Sequence, residues 1–323
     1  MHSDVASHVP TQGTGPGEAT GEEPDRAPGR PLVSVIVPCH GEAAGVLREQ
    51  LAALAAQDFE GPWELIVADN GATAATLAVA AEFRTAVPSL RVVDARQQPG
   101  QAYAVNEGAR AARGEDLVLL DSDDVVAPDY VRLVRGALRH HAFVGARLDS
   151  DALNPRWLRR RRRPMQADGL EELLDAGRPA VIGAAMAVRR AAFVAVGGFD
   201  ETMDTQIDLD LSWRLQAAGH TPAFVRDAVV QYRYRQQLTS LWRQEHAYGV
   251  GEARLYAKHR GGAGAGTAHL PRRRLRRTLR GWADVALAVP AAVTRSGRAR
   301  LVTAAGAASG RLVGSIRHRT LYL

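Results

Sequence analysis

The sequence predicts an α/β fold: a mostly parallel sheet with helices on both faces, followed by a helical, basic C-terminal tail. Three observations carry this reading. From Val33 onward, short continuous apolar runs alternate with segments of helical periodicity, the pattern of a parallel sheet covered on both sides. Three of those runs end in polar clusters, which such a sheet gathers along one edge. Charge is also divided along the chain. Arg254 to Leu323 holds fifteen Lys and Arg against one acid, Asp284, a local net of +14, whereas the remainder carries 26 basic and 34 acidic residues, a net of −8.

The first thirty residues are rich in Gly, Pro, Thr and acids, lack periodicity and are expected to be disordered. A folded domain is expected over residues 31–260. Leu32 to Val37, between Pro31 and Pro38, has the β-branched character of a buried strand. Leu47, Leu51, Leu54 and Ala55 then recur at helical spacing. A second strand starts at Trp63 and ends in Asp69-Asn70-Gly71, and an Ala-rich helix runs from Thr73 to about Ala86. Leu90 to Ala95 is a third strand, Ala102 to Ala112 a helix, and Asp116 to Leu120 a fourth strand leading into Asp121, Asp123 and Asp124. Val131, Val134, Ala137 and Leu138 mark the next helix. Asp149 to Pro179 is irregular and contains arginines at 159–163. Ala180 to Arg190 is read as a strand. Ile207 to Gly219 is read as a helix with Leu211 and Leu215 inward and Gly219 as its stop. Ala223 to Arg235 is a final strand, and Leu238 to His259 a long helix. There is no internal repeat.

Composition bounds the remaining choices. Hydrophobic residues at 46% and charged residues at 24% are ordinary for a globular protein. Cys39 is the only cysteine, so no intrachain disulfide forms and a reducing compartment fits. No apolar h-region follows Met1, and no apolar run approaches the ~20 residues of a membrane-spanning helix. The expected location is the cytoplasm, at the inner face of the cell membrane if the tail docks there. In residues 261–323, Leu275, Leu279, Trp282 and Ala286 share one helical face with arginines around the other, and Pro290 limits the helix. Such a segment suits an anionic membrane surface; a merely solvated Arg-rich tail is the plain alternative. Nucleic-acid binding would rest on the tail alone, and the acidic sheet edge argues against it.

The acids at the sheet edge pose the sharpest question. Asp121, Asp123 and Asp124 repel one another at the end of a buried strand, so either they solvate a turn or a cation sits among them. Mg²⁺ and Mn²⁺ take carboxylate oxygens, and Mg²⁺ commonly shares its shell between one or two carboxylates and a substrate's phosphates. An Asp-x-Asp at a strand terminus leaves the other metal positions open to a diphosphate. The alternative is an Asx-type turn into the helix beginning near Pro128, with Asp124 or Asp129 as local caps.

In context, the sequence resembles the inverting family-2 glycosyltransferases that use nucleotide-diphospho-sugars, with a Rossmann-like GT-A fold, in bacterial, actinobacterial-type form. The resemblance runs from about Val33 to His259. It is carried by "VSVIVPCHGE", "ELIVADNGA", "GQAYAVNEGARAARGEDLVLLDSDD", "RRAAFVAVGGFDETM" and "DLDLSWRLQAAGH", in that order. It implies that Asp69 holds the donor nucleoside, with Pro38, His40, Glu42, Asn70, Gly100 and Asn106 around the donor. It also implies that Asp121 faces the ribose and the metal shell, that Asp123 is the principal ligand of a Mn²⁺ or Mg²⁺ ion, and that Asp208 is the general base. An inverting transfer needs one base and one neutralised leaving group, so this set suffices. Asp210 lies about 200° around the helix from Asp208 and is the competing carboxylate.

Two departures from the family pattern stand out: Ile207 replaces a Glu before the base, and Gln231 stands where a metal-ligating His is expected. Arg233 and Arg235 are expected to take over part of that neutralisation. His246 and Trp242 are more ordinary as packing residues, and the arginines at 159–163 as a solvated loop or a contact to a phosphorylated acceptor. The expected partners are a nucleotide-diphosphate sugar and a glycan, lipid-linked or small hydroxyl acceptor. A non-catalytic nucleotide-sugar-binding or scaffold protein at the membrane surface is the second reading. A sugar-nucleotide pyrophosphorylase would need a Gly-rich Arg/Lys loop after the first strand, which is absent.

Overall fold

The computed structural model describes residues 31–87, 89–159, 164–174, 177–259 and 271–322, with side chains of the last segment from 280 onward. The expected disorder of residues 1–30 and the arginines at 160–163 lie outside the described residues. In chain order the elements are β1 (Val33–Gly41), α1 (Ala44–Ala55), β2 (Trp63–Ala72), α2 (Ala74–Glu82), β3 (Arg91–Asp94), α3 (Gln101–Ala111) and β4 (Asp116–Leu119). Then come β5 (Val125–Val126), α4 (Tyr130–Leu138), β6 (Phe143–Asp149), α5 (Arg156–Arg159), β7 (Glu171–Glu172), β8 (Pro179–Ala180) and β9 (Met186–Arg189). The chain continues with α6 (Arg190–Ala195), α7 (Ile207–Ala217), β10 (Ala223–Gln231), α8 (Leu238–His259), α9 (Pro271–Ala288) and α10 (Arg295–Arg317).

Eight strands form one sheet in the order β3-β2-β1-β4-β9-β6-β10-β5. β3, β2, β1 and β4 run parallel, as do β6 and β10, while β9 is antiparallel to both neighbours and β5 is antiparallel to β10. The sheet is therefore mixed but mostly parallel. Its centre is apolar on both faces: Val35, Ile36 and Val37 of β1 and Leu117 and Val118 of β4 are fully buried, which is why these strands read as unbroken hydrophobic runs. On α1, Leu47, Leu51 and Leu54 face the core together with Gln50. Gly108 lets α3 lie directly on β1, since a Cβ there would stand 2.6 Å from Ile36 Cγ2.

One strand expectation is corrected. Of Ala180 to Arg190, only Met186–Arg189 joins the main sheet; Pro179–Ala180 pairs instead with Glu171–Glu172, and a 3-10 turn spans Gly183–Ala185. The turn lifts the Gly183 N–H out of the ladder and onto Asp208 Oδ2 at 2.9 Å, a contact that apolar patterning cannot signal.

The tail holds more than its arginines suggested. α9 ends at Ala288 before Pro290, as expected, but a second helix follows, and α10 lies along α8. Among the described residues, no helix is long and apolar enough to cross a membrane.

α7 is fixed at its core by Asp210. This fully buried carboxylate meets Arg214 Nε at 2.7 Å, Lys258 Nζ at 2.7 Å and His259 Nε2 at 2.8 Å, tying α7 to the end of α8. Those partners hold its pKa well below the usual carboxylate range, against the opposing effect of burial. Its contribution to stability is thus present above the ordinary Asp pKa and lost only as pH falls through the depressed value. Asp210→Ala, which removes the carboxylate shared by Arg214, Lys258 and His259, should lower unfolding free energy by about 3 kcal/mol in urea titrations at neutral pH.

Candidate active site

Strand β4 delivers Asp121 at the carboxyl edge of the sheet. Beyond it the chain turns sharply, so that one oxygen from each of Asp121, Asp123 and Asp124 falls within 4.8 Å of the others. Several groups hold this crowd together. Gln101, the first residue of α3, donates to Asp121 Oδ1 at 2.7 Å. Gln50 donates to the Asp121 carbonyl at 3.2 Å and accepts from Val126 N–H at 3.2 Å. Arg233 donates its backbone N–H to Asp124 Oδ1 at 2.8 Å and its Nε to the Asp123 carbonyl at 2.7 Å. Arg235 meets Asp123 Oδ2 at 2.9 Å. Asp129 occupies the N-cap position of α4 but makes no side-chain cap bond.

The donor set is all carboxylate oxygen, the chemistry that Mg²⁺ and Mn²⁺ select. Buried Asp124 keeps one oxygen, Oδ2, without a hydrogen-bond partner. These residues fit a hard divalent cation, with Asp121 and Asp123 reaching the cleft and Asp124 beneath them. Without a cation the cluster is strained electrostatically. Burial, then Asp123 and Asp208, push the Asp121 carboxyl up to about 7, and burial followed by Asp121 and Asp123 raises Asp124 as well.

Two clefts meet at this point. One, of 600 Å³, is lined by Pro38, His40, Glu42, Asn70, Gly100 and the Asp121–Asp123 turn, with Gln101 and Arg235. The sequence-derived donor residues therefore converge, with two exceptions. Asp69 is buried behind the wall, where its Oδ1 accepts from Gly71 N–H at 3.0 Å and Ala72 N–H at 2.8 Å, and Arg96 Nε lies 3.6 Å from its Oδ2. Asn106 is turned into the protein: it donates to the Phe199 carbonyl at 2.9 Å and to Glu201 at 2.7 Å, and accepts from Phe199 N–H at 2.9 Å. It pins α3 to the turn at Gly198 and lines neither cleft. Asn70 organises the rim, accepting from Gly100 N–H at 2.8 Å and donating to the Gln98 carbonyl at 2.8 Å, while His40 Nδ1 lies 2.7 Å from the Asn70 carbonyl oxygen. Gly100 has φ +131°, open to glycine, and starts α3 so that its N-terminus faces this cleft.

The second cleft, of 360 Å³, shares Pro38, Gln101 and Asp121 with the first and holds Asp208 on its wall. Asp208 is presented by a strained turn: Gln206, at the N-cap of α7, sits in the left-handed region at φ 60°, ψ 23°. Gly183 N–H and Leu209 N–H hold both carboxylate oxygens, at 2.9 and 3.0 Å, while burial raises its pKa. Tyr248 of α8 also lines this cleft, its hydroxyl pushed up to about 12 by burial and by Asp208 and Asp121.

The two departures are resolved in place. Ile207 is buried and belongs to the apolar wall. Gln231 points elsewhere, its Oε1 accepting from Ala152 N–H at 3.3 Å, whereas Arg235 reaches the Asp123 carboxylate and the Arg233 guanidinium bonds the Asp123 carbonyl and Glu49. His246 is held between helices, its Nδ1 2.9 Å from Ser309 Oγ, with Trp242 stacked on it. The sequence places Leu241 to Ala253 under the active site, which the position of Tyr248 matches, but singles out neither Tyr248 nor Gln101.

Just over half of the chain, residues 34–197, matches the profile of glycosyl transferase family 2. The chain belongs to glycosyl transferase family 2. Residues 117–294 also match glycosyl transferase family group 2. The family member is 28% identical over 208 residues to the O-antigen biosynthesis protein RfbC of Myxococcus xanthus, covering 63% of this chain and 16% of that protein. It is 28% identical over 251 residues to the pre-mycofactocin glycosyltransferase of Mycobacterium tuberculosis, covering 73% and 50% respectively. With the succinoglycan biosynthesis protein ExoA of Rhizobium meliloti it shares 28% over 240 residues, 70% of each chain. It thus spans half or less of the first two. Among solved structures, it is similar to the mannosyltransferase PcManGT from Pyrobaculum calidifontis in complex with GDP-Man and Mn²⁺, with a TM-score of 0.59, 20% identity and 88% and 87% coverage. GalNAc-T7 with UDP, GalNAc and Mn²⁺ gives a TM-score of 0.52 at 15% identity, with 72% and 51% coverage. These likenesses show the GT-A-like fold expected for the family.

In the metal-free protein the unfolded chain sheds the Asp121 proton near 3.8, whereas the folded chain keeps it to about 7. Stability should therefore fall as pH rises between those values. Because a ligating carboxylate must be deprotonated, added Mn²⁺ should raise the melting temperature more at pH 8 than at pH 6, measured by scanning fluorimetry.

Proposed function

We propose that this family-2 protein is a metal-dependent, inverting glycosyltransferase that moves a sugar from a nucleotide-diphosphate sugar to an acceptor hydroxyl. The observation that carries the reading is the pair of clefts meeting at Asp121, one lined by the sheet-edge donor residues and the other holding Asp208. An inverting displacement needs that opposition, since the hydroxyl attacks from the side away from the leaving diphosphate.

The nucleotide lies in the larger cleft against His40, Glu42 and Asn70, with Asp69 fixing the loop behind them. Its diphosphate faces the N-terminus of α3, where Gly100 and Gln101 offer the positive end of the helix dipole. A Mn²⁺ or Mg²⁺ ion held by Asp121 and Asp123 would supply Lewis-acid neutralisation of the leaving group. Arg235, already on Asp123, adds a permanent positive charge where a His ligand is lacking. Asp208 accepts the hydroxyl proton; its raised pKa makes it a better base than an exposed carboxylate, and two backbone N–H groups aim it. Neighbours solved with GDP-Man and with UDP and GalNAc support a nucleotide-sugar donor.

The tail supports an association with an anionic membrane surface. Trp282, Leu287, Val289 and Val293 from α9 onward, and Leu312, Val313 and Ile316 on α10, are exposed apolar side chains within its strongly basic sequence. That would place transfer at the cytoplasmic face, beside glycan or lipid-linked acceptors. Against the non-catalytic reading, Arg235 places a positive charge on Asp123 where the His ligand is lacking.

Asp208→Asn should lower kcat by roughly 10²–10⁴-fold while leaving nucleotide affinity intact, in coupled assays of nucleoside-diphosphate release. Arg235→Ala should lower turnover by about tenfold or more, well beyond any loss of fold read from the melting temperature; unaltered kinetics would remove Arg235 from the mechanism. Liposome flotation with anionic vesicles should carry the full chain upward and leave a Trp282→Ser, Leu287→Ser double variant behind.

A further inference from the structure

The sheet ladder ends just short of the acidic turn. β10 pairs with β6 as far as Gln231 and Asp149, and one further bond follows, from Tyr232 N–H to the Asp149 carbonyl at 2.6 Å. There β6 ends, yet residues 232–235 run on beside the carboxylates. A side chain takes over the missing strand's part. Asn154, buried in the loop after β6, donates from Nδ2 to the Tyr232 carbonyl at 2.6 Å and accepts at Oδ1 from Tyr234 N–H at 2.8 Å. These are the two bonds that a residue of a parallel neighbour would make around Arg233. On the opposite edge, Asp124 Oδ1 accepts from Arg233 N–H at 2.8 Å.

Clamped on both edges, the segment keeps the two-residue alternation of a strand. Tyr232 and Tyr234 meet edge to face, their ring centroids 5.3 Å apart. Arg233 and Arg235 both reach Asp123, at its carbonyl (2.7 Å) and at Oδ2 (2.9 Å). The Arg235 side chain is 55% exposed, and an ion pair that open to water is too weak to hold a long side chain in place. Its position therefore depends on where the backbone starts it. The clamp is itself anchored. Asn154 Nδ2 also donates to the Ser150 carbonyl at 2.9 Å. Just beyond, Leu158 is fully buried with Leu241 of α8 and Ala299 of α10, and Trp157 lies under the Arg295 guanidinium, whose Cζ stands 4.3 Å from the ring centroid. α10 is in turn seated on α8 by Gly306, Gly310 and Gly314, at each of which a Cβ would meet the α8 backbone.

We propose that Asn154 is a positioning residue for the donor: its amide stands in for a missing strand and holds residues 232–234 so that Arg235 meets the diphosphate at Asp123. The inference rests on the glycosyl-transfer reading above and on the part Arg235 has in it. The basic tail thereby acquires a second role, because its last helix braces the loop that carries Asn154.

Calorimetry of GDP and UDP in saturating Mn²⁺ tests this on the full chain, in the parent, Asn154→Ala, Arg235→Ala and the double variant. Each single variant should bind the nucleotide that the parent prefers about fivefold or more weakly. The double variant should bind no more than about twofold more weakly than Arg235→Ala, since Asn154 acts through that side chain. A residue that only stabilised the fold would weaken binding by the same factor in both backgrounds. The melting temperature reports the fold. Asn154→Asp, which keeps the acceptor for Tyr234 and loses the donor to Tyr232, takes the place of an alanine variant that does not fold, and should show the same dependence on Arg235 with a smaller loss. The proposal is overturned if the Asn154 variant binds as tightly as the parent, or if the two losses multiply. A parent chain that binds neither nucleotide overturns the transfer reading itself, and this inference with it.

Discussion

Three carboxylates crowded at the end of β4 are the constraint around which the rest is arranged. Like charges within 4.8 Å of each other cannot all ionise comfortably in a partly buried setting. The fold nevertheless drives them together by running a fully buried strand straight into the turn. Gln101, Arg233 and Arg235 relieve part of the repulsion, and what remains shows as carboxyl groups that hold their protons too long. Such a cluster weakens the metal-free fold and becomes favourable once positive charge sits in it. This is the electrostatic pattern that the cation site proposed above requires.

The other elements make sense as placements relative to that cluster. β1 and β2 bring His40, Glu42 and Asn70 to one side. On the other side, the left-handed Gln206 and the 3-10 turn at Gly183 bring Asp208 into line, at a cost in backbone strain. Asp210, two residues along the same helix, faces the opposite way and serves only to lock α7 to α8. Neighbouring carboxylates on one helix thus receive unlike roles from unlike surroundings: cations hold one ionised, and burial makes the other basic.

Much of this was legible in the residues. β1, β2 and β4 are continuous apolar runs because both faces are covered, and Gly219, at φ +90°, ends α7 where a glycine stop was expected. The polar clusters after three strands did converge on one edge. What sequence did not carry was direction. Asn106 lies on the helix that lines the larger cleft, yet its amide is consumed by Phe199 and Glu201 on the far side. Ala180 to Arg190 is apolar throughout, and only the hydrogen bond from Gly183 to Asp208 reveals why it breaks in the middle. The basic composition of the tail drew attention to its surface, whereas its glycines, spaced for contact with α8, determine where α10 lies. Periodicity marks which residues are buried; it says nothing of which distant partner buries them.

The central claim is that Asp121 and Asp123 bind a divalent ion together with a pyrophosphate. Titration calorimetry of GDP and UDP, with and without Mn²⁺, in the parent chain and in Asp123→Asn, tests it most directly. The account predicts binding that requires Mn²⁺ and is lost, by about tenfold or more, in the variant. Equal affinity without the ion, or an unaffected variant, would contradict it.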